Sequence, residues 1–209
     1  MFPAFGRPVS LALALCTTAA CSDVMEAEST PTPPPAANGG QAGTPVPVGA
    51  CPGAGALEPP PVPPALQPPA GSSLMARYRA QGAQIYTCKA VPGAATAFAW
   101  TFRAPEANLI DDGCAPVGTH FAGPTWKLSA DDSAVVAMKA AEAPAPAPNA
   151  IPWLLLAASS TSGQGVMSSV VAVQRVDTVG GIPPASECSA AVVGREMRVP
   201  YSATYYFYN

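Results

Sequence analysis

Apolar and polar side chains alternate with a period of two over the second half of this chain, and this pattern most constrains its fold. In TAFAWTF the three aromatic side chains would face one way and the small side chains the other. In SATYYFY, Tyr205 and Phe207 would face opposite to Tyr206 and Tyr208. Such alternation is typical of β-strands with one buried face. The C-terminal part of the chain is therefore predicted to be built of β-strands.

Four further segments predict strands, and turn residues separate them. They are QIYTC, AVVAMKA, IPWLLLAA and VVAVQRV, of which IPWLLLAA is apolar on both faces, as in a strand buried on both sides. SLMARYRAQ (73–81) predicts a short helix, and APAPAPNA (143–150) predicts a surface loop. The predicted fold is all-β: a single sandwich or barrel-like domain of about eight or nine short strands over residues 71–209.

The segment before this domain is rich in proline. Of the 27 prolines in the chain, fourteen lie between Ser22 and Ala70. Such runs favour extended, polyproline-like backbone and bury too little apolar surface to fold. Residues 21–70 are therefore predicted to be a disordered Pro-rich linker, either a tether that holds the domain away from an anchor or a neutral spacer.

The N-terminus resembles an export signal. MFPAFGRPVSLALALCTTAACSD has one early cation, Arg7, an apolar run too short to span a bilayer, and then small residues. This predicts a signal peptide over residues 1–20. Thr18-Ala19-Ala20-Cys21 resembles a bacterial lipoprotein box, which predicts lipidation of Cys21 and a protein of the outer membrane or cell surface. The alternative is ordinary cleavage near Ala20, which would give a soluble periplasmic or secreted protein.

The number of cysteines favours lipidation. Cys16 would leave with the signal peptide, and a free Cys21 would leave an odd number of cysteines in an oxidising compartment. With Cys21 lipidated, four remain and could form two disulfides: Cys51, Cys88, Cys114 and Cys188. Four cysteines allow three pairings, and their spacing alone leaves all three open.

Charge and composition exclude several classes of function. From Gly71 to Asn209 nine Lys and Arg residues balance nine Asp and Glu residues without a basic run, so nucleic-acid binding is not expected. One histidine cannot build a multi-histidine metal site, and oxidised cysteines cannot bind zinc as thiolates. No metal and no cofactor are predicted.

The candidate ligand-binding residues are His120, Trp126 and Arg175. The stretch GTHFAGPTW holds the only histidine. His120 and Trp126 would either pack at a corner of the sheet, with His120 accepting a hydrogen bond from the indole, or line a pocket for a glycan or another envelope component. Arg175 lies among valines and needs a partner if it is buried, either Asp177 or Glu187 in an ion pair, or a ligand.

Catalysis is the weaker hypothesis, and no catalytic residue is assigned. No Gly-x-Ser-x-Gly motif marks a nucleophile. The alternative to binding is a hydrolase that acts on an extracellular polymer with Glu106, Asp111 or His120. The preferred prediction is an extracytoplasmic, envelope-tethered binding or structural module, attached to a membrane only through its N-terminal lipid.

Several motifs, in order, resemble a known family. They are QIYTC, W-x-F-x-A-P-E-A-x-L, HFAGPTW, IPWLLL, Q-R-V-D-T-x-G-G and VPYSATYYFY. Over roughly Gly82 to Tyr208 the chain resembles domain-of-unknown-function family 3455, which comprises exported proteins of bacteria and fungi. The resemblance implies no activity, because that family has no established biochemistry. Cys88 and Cys188 match family positions, which implies a Cys88–Cys188 disulfide and leaves Cys51–Cys114 as a second pair.

Overall fold

The computed structural model describes residues 57–94, 96–185 and 187–209. The predicted signal peptide over 1–20, the lipidation site Cys21, residues 21–56 of the predicted linker and Cys51 lie outside the described residues. No helix in the described ranges is long and apolar enough to cross a membrane.

Eight strands form one closed antiparallel barrel in the order of the sequence. Each strand pairs with the next, and the last pairs with the first, so that the sheet closes on itself without an unpaired edge. The prediction of an all-β domain with eight or nine strands is confirmed, and its architecture is a barrel. The strands are β1 Leu74–Ala90, β2 Phe98–Ile110, β3 Pro116–Phe121, β4 Thr125–Leu128, β5 Ala134–Ala143, β6 Trp153–Ser162, β7 Ala172–Gly180 and β8 Glu196–Tyr208.

The predicted helix over residues 73–81 is wrong, because this segment lies in β1. Leu, Met, Ala and Arg are good helix formers, but pairing with both β2 and β8 overrides this weak preference. Along the strand Ala76 and Ala80 are buried in the core, while Arg77 between them forms an ion pair with Asp112, at 2.7 Å. As a result β1 is 17 residues long, longer than the short strands predicted.

The alternation at the end of the chain separates two apolar clusters. Tyr205 and Phe207 are fully buried in the main core, whereas Tyr206 and Tyr208 belong to a second cluster. The segment IPWLLLAA also contributes to both clusters, as its two apolar faces predict, with Leu156 in the main core and Trp153 in the second. We call the second cluster the outer cluster, because its side chains lie on the opposite face of the sheet.

Part of the proline-rich segment packs onto the outer cluster. Leu66, in the short 3-10 helix Pro64–Leu66, is fully buried there. Its carbonyl oxygen accepts a hydrogen bond from Gln174 Nε2 at 2.7 Å, and Tyr206 donates its hydroxyl hydrogen to the carbonyl oxygen of Glu58 at 3.1 Å. Ordered structure therefore begins before residue 71, within the segment predicted to be a disordered linker. The backbone is extended at Gln67, directly after this short helix, and the segment supplies apolar side chains that the barrel buries.

One disulfide joins the end of β1 to the connection between β7 and β8. It links Cys88 and Cys188, whose Cα atoms are 5.4 Å apart, so this predicted pairing is confirmed. The other predicted pair, Cys51–Cys114, includes Cys51, which lies outside the described residues, and it stays a prediction. The predicted loop APAPAPNA connects β5 to β6.

Candidate functional site

A cavity of about 580 Å³ lies inside the barrel and is lined mainly by residues of its strands. Eight-stranded up-and-down barrels have an interior that holds packed side chains or one small ligand. The volume found here is within the range of pockets that enclose small molecules. The cavity reaches the surface at Phe102 and Met138, whose side chains are 50% and 65% exposed. Most of its wall is apolar, with contributions from Trp126, Ala137, Ile151, Leu154, Leu156 and Tyr205.

The three residues predicted from the sequence all line this cavity. His120 is on β3, Trp126 on β4 and Arg175 on β7. In each strand the inward position follows from the alternation of side chains across the sheet. Whether these residues bind a ligand stays a prediction, but the fold brings together side chains that are up to 55 positions apart in the sequence.

The His120 and Trp126 rings stack on each other. The two residues are direct partners across the β3–β4 hairpin, and their ring centroids are 4.4 Å apart with an interplanar angle of 10°. Tyr205 meets both rings edge-on, at 5.0 and 5.2 Å. The predicted hydrogen bond from the indole to His120 is therefore wrong. In a parallel stack the N–H bond lies in the plane of the indole and cannot point at the imidazole, and Trp126 Nε1 has no hydrogen-bond partner among the described residues.

His120 is buried and neutral. Its Nδ1 lies 2.9 Å from the carbonyl oxygen of Thr125, which can only accept, so Nδ1 carries the hydrogen and Nε2 keeps its lone pair. Burial lowers the pKa of His120 to about 3, the bond to Thr125 opposes this shift, and the charge of Arg175 adds to it. An imidazole with so low a pKa is a weak base at neutral pH, which argues against His120 as a hydrolytic base.

The domain is expected to become less stable as the pH is lowered, because of His120. Its pKa is lower in the folded protein than the model value of 6.5, so the unfolded state binds more protons between pH 6.5 and 3 and stability is lost as the pH falls through this window. From pH 7 to pH 4.5 this amounts to roughly 2.5 kcal/mol. Urea unfolding of the wild type and of His120→Asn at both pH values measures it. Equal losses in the two proteins would contradict the expectation, because asparagine does not titrate.

Arg175 brings a positive charge to the cavity. Its Nε and Nη2 donate hydrogen bonds to the carbonyl oxygen of Pro152 at 3.2 and 2.8 Å. The predicted ion pair with Asp177 or Glu187 is wrong, and within the described ranges no carboxylate lies within ion-pair distance of this guanidinium. The reason is local: a bulge follows Val176, and Asp177 takes a left-handed φ of 50°, which breaks the alternation.

Buried polar atoms with incomplete hydrogen bonding add to this site. Gln84 is 2% exposed and Tyr205 is 0% exposed, both line the cavity, and neither Gln84 Nε2 nor the Tyr205 hydroxyl forms a well-aligned hydrogen bond in the described part of the chain, although Tyr201 lies close to both. Buried polar groups are rarely unpaired in folded proteins. Neither residue was among the candidate site residues predicted from the sequence. A Gln within the predicted strand QIYTC was the available signal, while Tyr205 was noted only for the alternation of side chains in SATYYFY.

The acidic residues considered for hydrolysis lie elsewhere. Glu106 is exposed and forms two hydrogen bonds with Arg198, at 2.6 and 2.9 Å. Asp111 accepts a hydrogen bond from the backbone N–H of Ala115 in the β2–β3 turn, at 2.8 Å. The acid that lines the cavity is Glu142, which is paired with Lys139 at 2.6 Å. Among the described residues, Glu142 is therefore the one carboxylate that lines the cavity, whereas a typical glycoside hydrolase uses a pair.

Neither a metal site nor a curated relative explains this arrangement. Over the described residues, no three His, Cys, Asp or Glu side chains are grouped as a metal site requires. No curated protein and no solved structure matches the chain. The family described as "Protein of unknown function (DUF3455)" matches residues 69–209, which is two thirds of the chain and includes all eight strands. The chain therefore belongs to the DUF3455 family.

Proposed function

We propose that this domain binds a small, largely apolar molecule inside its barrel. The observation that carries the proposal is the cavity of about 580 Å³, which has apolar and aromatic walls and a few converging polar groups. This combination is typical of small-molecule sites. A glycan presents hydroxyl groups on most of its surface, so these walls suit it less well than an apolar component of the cell envelope.

The place of action forms part of the same proposal. A signal peptide over residues 1–20, lipid on Cys21 and a proline-rich linker would put the domain outside the cytoplasm, at the outer membrane or cell surface. The Cys88–Cys188 disulfide supports this placement, because disulfides persist mainly in oxidising compartments. Export without lipidation would place the same domain free in the periplasm or medium.

Fluorescence of the neutral apolar probe N-phenyl-1-naphthylamine tests binding inside the barrel. Leu154 and Leu155 are adjacent on β6 and both are half-buried, but Leu154 lines the cavity and Leu155 packs against the outer cluster. We expect the wild type to enhance the fluorescence of the probe on binding. Leu154→Trp should weaken binding by about tenfold or more because the larger side chain fills the cavity.

The matched control is Leu155→Trp, which should change the affinity less than about twofold. Circular dichroism of both variants shows whether the strands are retained. Equal effects of the two substitutions, or a wild type that does not bind the probe, would contradict binding inside the barrel.

A further inference from the structure

We propose that the natural ligand is an apolar monocarboxylic acid whose carboxylate lies against Arg175, with Gln84 and Tyr205 as further hydrogen-bond donors. This inference rests on the proposed function, and it adds the chemical class of the ligand. Three features of the cavity support it: a cation without a carboxylate partner among the described residues, buried hydrogen-bond donors beside that cation, and an apolar wall that continues to the surface.

The first feature is the charge of Arg175. A guanidinium has five N–H groups, and the carbonyl oxygen of Pro152 accepts from two of them, which leaves three that can face the nearby Tyr205 hydroxyl or a ligand. The two bonds to Pro152 also hold the guanidinium in one orientation. A cation in an apolar cavity is stabilised by an anion, and the cavity carboxylate, Glu142, is paired with Lys139.

Buried donors lie beside this cation. Gln84 Nε2 and the Tyr205 hydroxyl are buried and line the cavity, and neither forms a well-aligned hydrogen bond among the described residues, although Tyr201 lies close to both. Burial raises the pKa of Tyr205, and the charge of Arg175 opposes this rise, as do side-chain interactions with Tyr201 and Arg175, so the Tyr205 hydroxyl lies close to the guanidinium. An N–H donor, a hydroxyl and a guanidinium together call for a ligand group that accepts hydrogen bonds.

A carboxylate fits these donors better than a phosphate. The planar guanidinium matches the two oxygens of a carboxylate and pairs with them through parallel hydrogen bonds. A phosphate monoester would bring nearly two negative charges. Arg175 could offset only one of them, since Lys139 is already in an ion pair and His120 is neutral.

The third feature is the apolar path from Arg175 to the surface. The wall includes Leu154 and Leu156, and the opening exposes the large apolar side chains of Phe102 and Met138. An alkyl chain or an aromatic ring would contact this wall while its acid group reaches the donors. Such a ligand has one polar end, as the arrangement of the cavity requires.

Competition between dodecanoate and dodecanol tests the inference, because the two molecules differ only in the head group. Each is titrated against the neutral probe bound to the full-length protein at pH 7.5, and its affinity is obtained from the displacement of the probe. We expect dodecanoate to bind at least about tenfold more tightly than dodecanol. Arg175→Met should lose this preference, while dodecanol affinity changes less than about twofold. Arg195→Met is the matched control, since Arg195 is exposed and does not line the cavity, and the preference should persist there.

A measurement on the wild type keeps the test independent of how Arg175→Met folds. Dodecanoic acid labelled with ¹³C at its carboxyl group reports its own titration by NMR, and the bound carboxyl should have a pKa below that of the free acid because a cation favours the charged form. A bound pKa equal to or above that of the free acid, or equal binding of acid and alcohol, would overturn the inference while the proposed function stands. A wild type that binds no probe at all would overturn both.

Discussion

Replacing Cys88 and Cys188 together by alanine is expected to lower the free energy of unfolding by about 4–5 kcal/mol. The disulfide closes a loop of 100 residues that holds most of the barrel strands. Closing so long a loop removes much entropy from the unfolded chain. Without the bond the unfolded chain regains this entropy and is stabilised relative to the folded state. The folded state should keep its shape, because Cys88 also forms backbone hydrogen bonds with Gly194 and Arg195, at 2.9 and 3.0 Å.

Urea unfolding of the wild type and the double variant measures this effect. Ser189→Ala is the control, since Ser189 is exposed, lies beside Cys188 and should cost less than about 0.5 kcal/mol. A loss below about 1 kcal/mol in the double variant would show that the loop-closure argument fails for this domain.

Gly82→Ala should lower the free energy of unfolding by more than about 3 kcal/mol or prevent folding. Gly82 lies in β1 between Ala107 of β2 and Tyr201 of β8. A Cβ atom at this position would lie 2.5 Å from the Cα atom and 2.7 Å from the Cβ atom of Ala107, and closer still to the carbonyl oxygen of Glu106. Backbone atoms cannot yield as a flexible side chain does, so β1 and β2 would have to separate.

The matched substitution is Gly113→Ala in the β2–β3 turn. The nearest atom to a Cβ there is an oxygen of the Asp111 side chain at 3.3 Å, and this partly exposed side chain can shift by the few tenths of an ångström required. We expect a cost below about 1 kcal/mol for Gly113→Ala. Urea midpoints and the yield of soluble protein compare the two variants, and similar stability of both would contradict the close approach of β1 and β2.

The alternation of side chains predicts strands well but does not show how the sheet closes. Tyr205 and Phe207 on one face and Tyr206 and Tyr208 on the other follow from period two alone. Barrel closure depends on pairing between Leu74 and Tyr208, at opposite ends of the domain, and no local pattern encodes such a pairing.

Tertiary contacts decide the structure of two segments whose local sequence predicts otherwise. The helix formers of residues 73–81 lie in a strand, since both edges of that strand find hydrogen-bonding partners. Leu66 lies in a proline-rich run that predicts disorder, but the outer cluster offers an apolar surface that buries it. Neither the strand partners nor the apolar surface can be recognised from the sequence of the segment itself.

The candidate site could be predicted in part. His120 is the single histidine of the chain and Trp126 is one of three tryptophans, so both are conspicuous in the sequence. Arg175 is conspicuous as a charge among valines. The partner of Arg175 could not be predicted, because the bulge after Val176 moves Asp177 out of the expected register. Gln84 was missed because the incomplete hydrogen bonding of its amide is a property of the fold.

A crystal structure of the protein with 12-bromododecanoic acid tests the central claim most directly. Anomalous scattering locates the bromine, and refined density locates the carboxylate. We expect bromine beside the apolar wall that includes Leu154 and Leu156, and a carboxylate oxygen within hydrogen-bonding distance of Arg175. Bromine found only on the outer face of the barrel, in crystals saturated with the acid, would contradict it.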